Sequence, residues 1–213
     1  MTTAELNKAA DEYLRSQGAI PSFLNYNGFP KSICVSLNEE VIHGIPGSRK
    51  LVSGDIVSID IGAFKDGFHG DCARTFPVGD VSEEALRLIE VTKQSFFAGI
   101  EFCKQNNHLY QISGAIQEFV ERHGFSVVRD YVGHGIGASL HEDPAVPNYK
   151  PPSRGSRLSR GMTLAIEPMV NAGASEVNTR SDKWTVVTKD GKLSAHYENT
   201  VLVTDGMPEL LTL

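Results

Sequence analysis

Acidic residues recur in this chain in the same setting. Asp60 follows the apolar run Ile56-Val57-Ser58-Ile59, and Asp71 lies beyond a Lys65-Asp66-Gly67 turn. Glu167 follows Leu164-Ala165-Ile166, and Glu198 lies beyond Lys189-Asp190-Gly191. Leu51, Gly54, Ile59 and Asp60 match Leu158, Gly161, Ile166 and Glu167 at a constant offset of 107. Asp-Gly is a strong two-residue hairpin signal, so Lys65 is expected to face Phe68 and Gly62 to face Asp71. Strand side chains alternate between faces, which puts Asp60 with Gly62 and makes Asp60 and Asp71 diagonal neighbours, ~7 Å apart at the backbone. Carboxylates on apolar strands are rarely buried unpaired. Two of them side by side repel unless they are solvated or cations sit between them; the apolar strand favours cations, and a pair of metal ions ~3.5–4 Å apart fits.

Histidines lie between the copies. Gly133-His134-Gly135-Ile136-Gly137 offers one nitrogen donor to a mostly oxygen site, and His141-Glu142 follows it. His43, in Val41-Ile42-His43-Gly44-Ile45-Pro46-Gly47, has a similar setting, whereas His69, His108, His123 and His196 carry no comparable context. The glycines do not form Gly-x-Gly-x-x-Gly, so dinucleotide binding is unsupported. No Gly-x-Ser-x-Gly nucleophile motif appears, and Cys72, next to Asp71, is expected on the opposite face of its strand. Cys34, Cys72 and Cys103 are odd in number and lack Cys-x-x-Cys spacing. That usage fits a reducing, cytoplasmic setting and neither disulfides nor a thiolate zinc site.

These side chains need a frame. The 213 residues, 40% hydrophobic and 22% charged, suffice for one domain over 1–213, duplicated roughly as 1–80 and 108–213. A net charge of −6 gives no reason to expect nucleic acid or an anionic membrane as partner. No apolar run approaches the ~20 residues of a membrane span, and an N-terminus with Glu5, Asp11 and Glu12 is unlike a secretory signal. A helix is predicted over Thr3 to Ser16, with Leu6, Ala9, Ala10, Tyr13 and Leu14 as its apolar stripe, Thr2 and Glu5 at capping-box spacing and Gly18 as its stop. Ser82 caps a second, with Leu86, Ile89, Phe96, Phe97 and Ile100 inward. Leu109 to His123 forms a third, with Ile112, Ala115, Ile116, Phe119 and Val120 on one face. Leu6, Ala10, Tyr13 and Gly18 are answered by Ile112, Ile116, Phe119 and Gly124 at an offset of 106. Strands are predicted over Asp55 to Gly62, Phe68 to Val78, Thr163 to Val170 and Ser194 to Val203, and an irregular loop around Pro144, Pro147, Pro151 and Pro152. Two helices precede the second strand set and one precedes the first, so a helix ahead of Met1 is expected to be missing.

Taken together, the sequence resembles the pita-bread (creatinase/aminopeptidase) metallopeptidases, in particular the type I methionine aminopeptidases. The likeness runs through Tyr26-Asn-Gly-Phe-Pro-Lys-Ser-Ile-Cys34, His43-Gly-Ile-Pro46, Asp60, Gly67-Phe-His-Gly-Asp71, Gly133-His-Gly-Ile-Gly137, His141-Glu142, Ile166-Glu-Pro-Met169, Trp184-Thr185 and Tyr197-Glu198. It implies an α+β fold in which pseudo-twofold duplicated antiparallel strands form a curved sheet with helices on its outer face, the first family helix being absent here. It implies two divalent metal ions (Co, Mn, Fe or Zn) held by Asp60, Asp71, His134, Glu167 and Glu198, with Asp71 and Glu198 shared. The implied reaction removes the N-terminal methionine of nascent polypeptides by attack of a metal-bridging water or hydroxide on the first peptide bond. Glu167 shuttles the proton, His141 stabilises the oxyanion and His43 holds the peptide backbone. Tyr26, Phe29, Cys34 and Trp184 match the methionine pocket, whereas Phe23 and Leu140 depart from the bacterial pattern. A small second residue, a monomer and an encounter with the ribosome also follow from the likeness.

Two other readings share these residues. Proline-specific exopeptidases use the same fold but normally carry a large N-terminal domain. A non-catalytic peptide- or ribosome-binding relative would lack metal ligands, and here all five positions are filled.

Overall fold

The computed structural model describes residues 1–212; Leu213, the last residue of the expected domain, lies outside them. Helix α1 spans Thr3–Ser16, and Thr2 and Glu5 close the expected capping box. Helix α2 spans Glu83–Ile100 with Ser82 as its cap, and α3 spans Leu109–Arg122. The strands are β1 (Ile20–Pro21), β2 (Cys34–Leu37), β3 (Glu40–Ile42), β4 (Ile56–Lys65), β5 (Phe68–Pro77), β6 (Ser126–Val127), β7 (Gly133–Gly135) and β8 (Glu142–Val146). They continue with β9 (Thr163–Ile166), β10 (Met169–Asn171), β11 (Val177–Thr179), β12 (Val186–Thr188), β13 (Ser194–His196), β14 (Glu198–Leu202) and β15 (Glu209–Leu210).

The main sheet runs β1-β4-β5-β14-β9-β7-β8, with β2 also on β4 and β15 also on β14. Its pairings are antiparallel. The hairpin β4–β5 has the expected register, Lys65 opposite Phe68 and Gly62 opposite Asp71. Asp66 and Gly67 both take positive φ, 51° and 90°, as a primed turn between right-twisted strands requires. The second half does not repeat this hairpin directly. Residues 163–170 were expected as one strand, and so were 194–203. Each is split instead: β9 ends before Glu167-Pro168 and β10 joins β13 and β6 in a separate sheet, while Tyr197 separates β13 from β14. Pro168 has no N–H for a ladder, so the chain leaves the main sheet there. The proline-rich segment also differs from expectation, because Pro144 lies within β8, a strand at the end of the main sheet's order.

Period-two alternation sorts the sheet into two faces. Leu164, Ile166 and Val201 pack with Phe96, Ile112 and Ile116 of α2 and α3 in the largest core cluster. Ile59 and Ile61 pack beside Val35, Leu37 and Leu6 of α1. The intervening residues Asp60, Gly62 and Ala165 therefore point to the other face, where Ala165 joins Phe23, Phe29, Cys34, Ile136 and Leu140.

Two expected helix faces are corrected. Leu86 is 49% exposed, and the inward stripe of α2 is Ala85, Leu88, Val91, Phe96 and Gly99. Leu86 stands ~200° around the helix from Leu88, and the stripe with Gly99 wins because that glycine touches α3: a Cβ there would lie 2.7 Å from Ile116. On α1, Leu6 and Ala10 pack inward, but Tyr13 is 67% exposed and Ala9 is also exposed.

Candidate metal centre and active site

The five acidic and imidazole side chains come from five adjacent strand positions. Asp60 of β4 stands opposite Ala73 of β5, and Ala73 stands opposite Glu198 of β14. Asp71 is two residues from Ala73 on the same face. Asn199 pairs with Ile166, so Glu167 emerges opposite Glu198 just past the end of β9. His134 of β7 pairs with Ala165, two residues from Glu167. The small Ala73 side chain leaves room between the acids of its row.

Burial makes this cluster costly without a counter-charge. Asp60 Oδ1, Asp71 Oδ1 and Glu198 Oε1 are buried acceptors with no hydrogen-bond partner. Burial, with the neighbouring acids Asp71 and Glu167, pushes the Asp60 carboxyl well above the usual range. Burial raises Asp71 to about 7, and burial plus Asp71 raises Glu167 and Glu198 well above theirs. Four acids that resist ionising together are what a divalent cation relieves. His134 completes the donor set. Its Nδ1–H donates to Gly135 O at 2.9 Å, which leaves the Nε2 lone pair facing Glu167 Oε1 at 3.6 Å. A backbone carbonyl behind a ligating imidazole is the usual outer contact of a metal-bound histidine. Burial and His141 lower the His134 pKa to about 4, so the ring is neutral and able to ligate. Donor atoms of Asp71, His134 and Glu198 lie within 4.8 Å of one another, as do those of Glu167, His196 and Glu198.

A cavity of about 200 Å³ opens onto the acids. It is lined by all five of these side chains, by His43 and His141, by Tyr26, Phe29, Cys34 and Trp184, and by Phe23, Asn27 and Leu140. Phe29 meets Trp184 edge-on at 5.1 Å between ring centres. The His141 Nδ1 is 2.9 Å from the Tyr26 hydroxyl, and its ring lies 4.0 Å from that of His134. His43 adopts a left-handed φ of 59°, a sparsely populated conformation for a side-chain-bearing residue. Its pKa is lowered to about 4 by burial and by His141. The structure thus brings every sequence-derived candidate to one cavity, with Phe23 and Leu140 on its wall.

The model of metallopeptidase family M24 matches residues 1–205. The chain belongs to metallopeptidase family M24. Among M24 relatives, the methionine aminopeptidase of Clostridium acetobutylicum is 58% identical over 214 residues, covering 100% of this chain and 86% of that protein. The crystal structure of methionine aminopeptidase from Rickettsia prowazekii superposes with a TM-score of 0.97 at 45% identity, covering 100% of this chain and 86% of that one. The prolidase from Pyrococcus horikoshii OT3 shares the fold alone, with a TM-score of 0.75 at 22% identity over 100% of this chain and 54% of that one. The pita-bread α+β fold of M24 is therefore the fold of this chain.

One side chain at this M24 centre escaped the sequence reading. His196 is buried, and its Nε2 lies 3.6 Å from Glu167 Oε2. Its position two residues before Glu198 was the available signal, since strand residues i and i+2 share a face. The glycines beside His134 serve close backbone approach. A Cβ at Gly133 would lie 2.3 Å from Ala165 O, and one at Gly206 would meet nothing within 4 Å. Gly133→Ala is expected to destabilise the protein by about 1–3 kcal/mol through overpacking, and Gly206→Ala to stay within about 0.5 kcal/mol. Urea midpoints decide: equal midpoints would remove the packing account of Gly133.

Proposed function

We propose that this metallopeptidase is a methionine aminopeptidase, releasing the N-terminal methionine of newly made polypeptides by hydrolysis of the first peptide bond. The observation that carries this is the meeting of a buried, unpaired carboxylate cluster with an aromatic and sulfur-lined slot in one small cavity. Asp60, Asp71, His134, Glu167 and Glu198 would hold two divalent ions (Co, Mn, Fe or Zn). Their carboxylate and imidazole donors accept any of these metals, and availability decides among them. When bound, the ions supply a nucleophile at neutral pH and polarise the scissile carbonyl.

The chain's own residues do the rest. Glu167 carries the proton released at the nucleophile to the leaving amine. With its Nδ1 engaged by Tyr26, His141 turns Nε2 toward the substrate carbonyl oxygen and donates to it as negative charge develops. His43 hydrogen-bonds the peptide backbone and assists departure of the amine. Tyr26, Phe29, Cys34 and Trp184 take the unbranched, polarisable methionine side chain. The cavity is smaller than the ~300 Å³ at which drug-sized sites begin, as one side chain requires. Residues 1–213 act as a single domain with duplicated halves, as a monomer that meets nascent chains in the cytoplasm, near the ribosome, and prefers a small second residue. No helix among the described residues is long and apolar enough to cross a membrane.

The experiment compares Met-Ala-Ser with Ala-Pro-Ser peptides on metal-reconstituted protein and counts bound metal. Release of methionine with about two ions per chain is expected. Cleavage of the proline peptide alone would replace this reading with a proline-specific one, and a chain that binds no metal would be a non-catalytic relative.

A further inference from the structure

His196 sits at the metal centre without a part in the chemistry proposed above. Its Nε2 is buried and has no hydrogen-bond partner. The two oxygens of Glu167 face two imidazoles, one each: Oε1 lies 3.6 Å from His134 Nε2 and Oε2 lies 3.6 Å from His196 Nε2. The two nitrogens differ in kind. His134 donates its Nδ1–H to Gly135 O, so its Nε2 is an acceptor, and two acceptors facing each other suit a cation between them. No such contact assigns a lone pair to His196 Nε2.

The His196 backbone is held in place. Its N–H donates to Thr75 Oγ1 at 2.9 Å, and its carbonyl accepts from the same hydroxyl at 2.8 Å. Thr75 is itself hydrogen-bonded to Ser58 on β4. The backbone that carries the ring is thereby fixed, and Met169 pairs with His196 across the β10–β13 ladder on the far side of Pro168. A carboxylate oxygen facing a buried, unpaired ring nitrogen accepts a hydrogen bond from the neutral imidazole in its Nε2–H tautomer.

We propose that His196 is a positioning residue of the metal centre: its Nε2–H donates to Glu167 Oε2, which holds the carboxylate with Oε1 beside His134 and toward the cation. The inference rests on Glu167 being a metal ligand. Closing the contact to hydrogen-bonding range takes a movement of about 0.7 Å, small for the broad terminal torsion of a glutamate. Donors behind ligating carboxylates set ligand orientation, and their loss typically weakens metal binding about 10–100-fold.

The test measures Co(II) affinity by titration calorimetry on the metal-free full-length chain. His196→Leu, which fills the space without a donor, is expected to weaken binding about 10–100-fold. His196→Gln, which restores an N–H donor at similar reach, is expected to stay within about threefold of wild type, a rescue that lost packing would not produce. The loss in the double variant Glu167→Ala/His196→Leu is expected to match that of Glu167→Ala alone, because both changes remove one interaction. Wild-type affinity in His196→Leu, a His196→Gln as weak as His196→Leu, or additive losses would each overturn the proposal. A His196 that bound the ion directly would give the second of these results. Should His196→Leu fail to fold, the wild-type chain decides: with Zn(II) bound, a His196 Nε2–H resonance protected from solvent exchange is expected, and its absence rejects the hydrogen bond. Glu167→Ala distinguishes this failure from a deeper one, since wild-type Co(II) affinity there would remove the metal centre itself.

Discussion

Glu198→Ala lowers kcat/KM for a Met-Ala-Ser peptide by about 10³-fold or more, ~4 kcal/mol of transition-state stabilisation, and the variant remains folded. Glu198 is opposite Ala73 at the centre of the acidic row and contributes a donor to both ligand groupings. Alanine there removes a donor common to both groupings. The fold survives because the deleted carboxyl is buried with one oxygen unpaired, so its loss relieves a cost. His134→Ala acts similarly from the other side of the cluster by deleting the imidazole donor. Metal analysis accompanies turnover in both variants. Wild-type turnover by either one, with its full complement of metal, would show that the proposed ligand set is wrong.

The second large effect is on stability and is carried by the acids of the cluster. In metal-free protein the four acids are expected to withdraw stability as pH rises from about 4 to about 7, while His43 and His134, whose pKa values are lowered to about 4, add stability over the lower part of the same window. Burial raises the carboxyl of Asp71 from 3.8 to about 7, and burial raises Asp60, Glu167 and Glu198 as well. A group with a raised pKa in the folded state holds its proton more tightly there than in the unfolded chain. Its contribution is complete below the unfolded pKa and is lost as pH climbs to the folded one. Asp71 alone makes this loss on the order of 4 kcal/mol. Divalent cation reverses the trend, because it binds the deprotonated ligands and binds only the folded state well. Asp60→Asn is expected to gain metal-free stability over wild type increasingly between pH 4.5 and 7.5, while abolishing turnover. Urea unfolding at pH 4.5 and 7.5, with chelator and with metal, measures all of this. A stability difference between metal-free Asp60→Asn and wild type that does not grow with pH would refute the account.

The first hairpin was readable from sequence because two independent local rules agree there. Asp66-Gly67 sets the turn, and the alternation of Ile59 and Ile61 with Asp60 and Gly62 sets the faces, so the register of Asp60 and Asp71 follows. The second acid pair was readable by its repetition of the first, and the cavity lining of Tyr26, Phe29, Cys34 and Trp184 by family likeness. The splitting of the second pair of strands was not read, although Pro168 carried a warning, because leaving a sheet depends on which distant strand receives the chain. Here β13 and β6 receive β10. His196 was missed although the predicted strand over 194–203 already set it on the face of Glu198. Leu86 and Tyr13 were misplaced for a different reason. Overlapping apolar stripes on one helix are equally periodic, and only a tertiary contact such as Gly99 against Ile116 selects between them.

The junction between β5 and β14 is a short link in the main sheet: Glu198 pairs with Ala73 and Asn199 with Cys72. Arg74 spans it, donating to Ala73 O, Glu198 O and Asn199 Oδ1. Asp71 lies on one side of this junction and Glu198 on the other, so an ion that both of them hold ties together the two repeats of the molecule. Chelation would then silence the enzyme and loosen its central seam in a single event, which couples cofactor supply to survival of the folded chain.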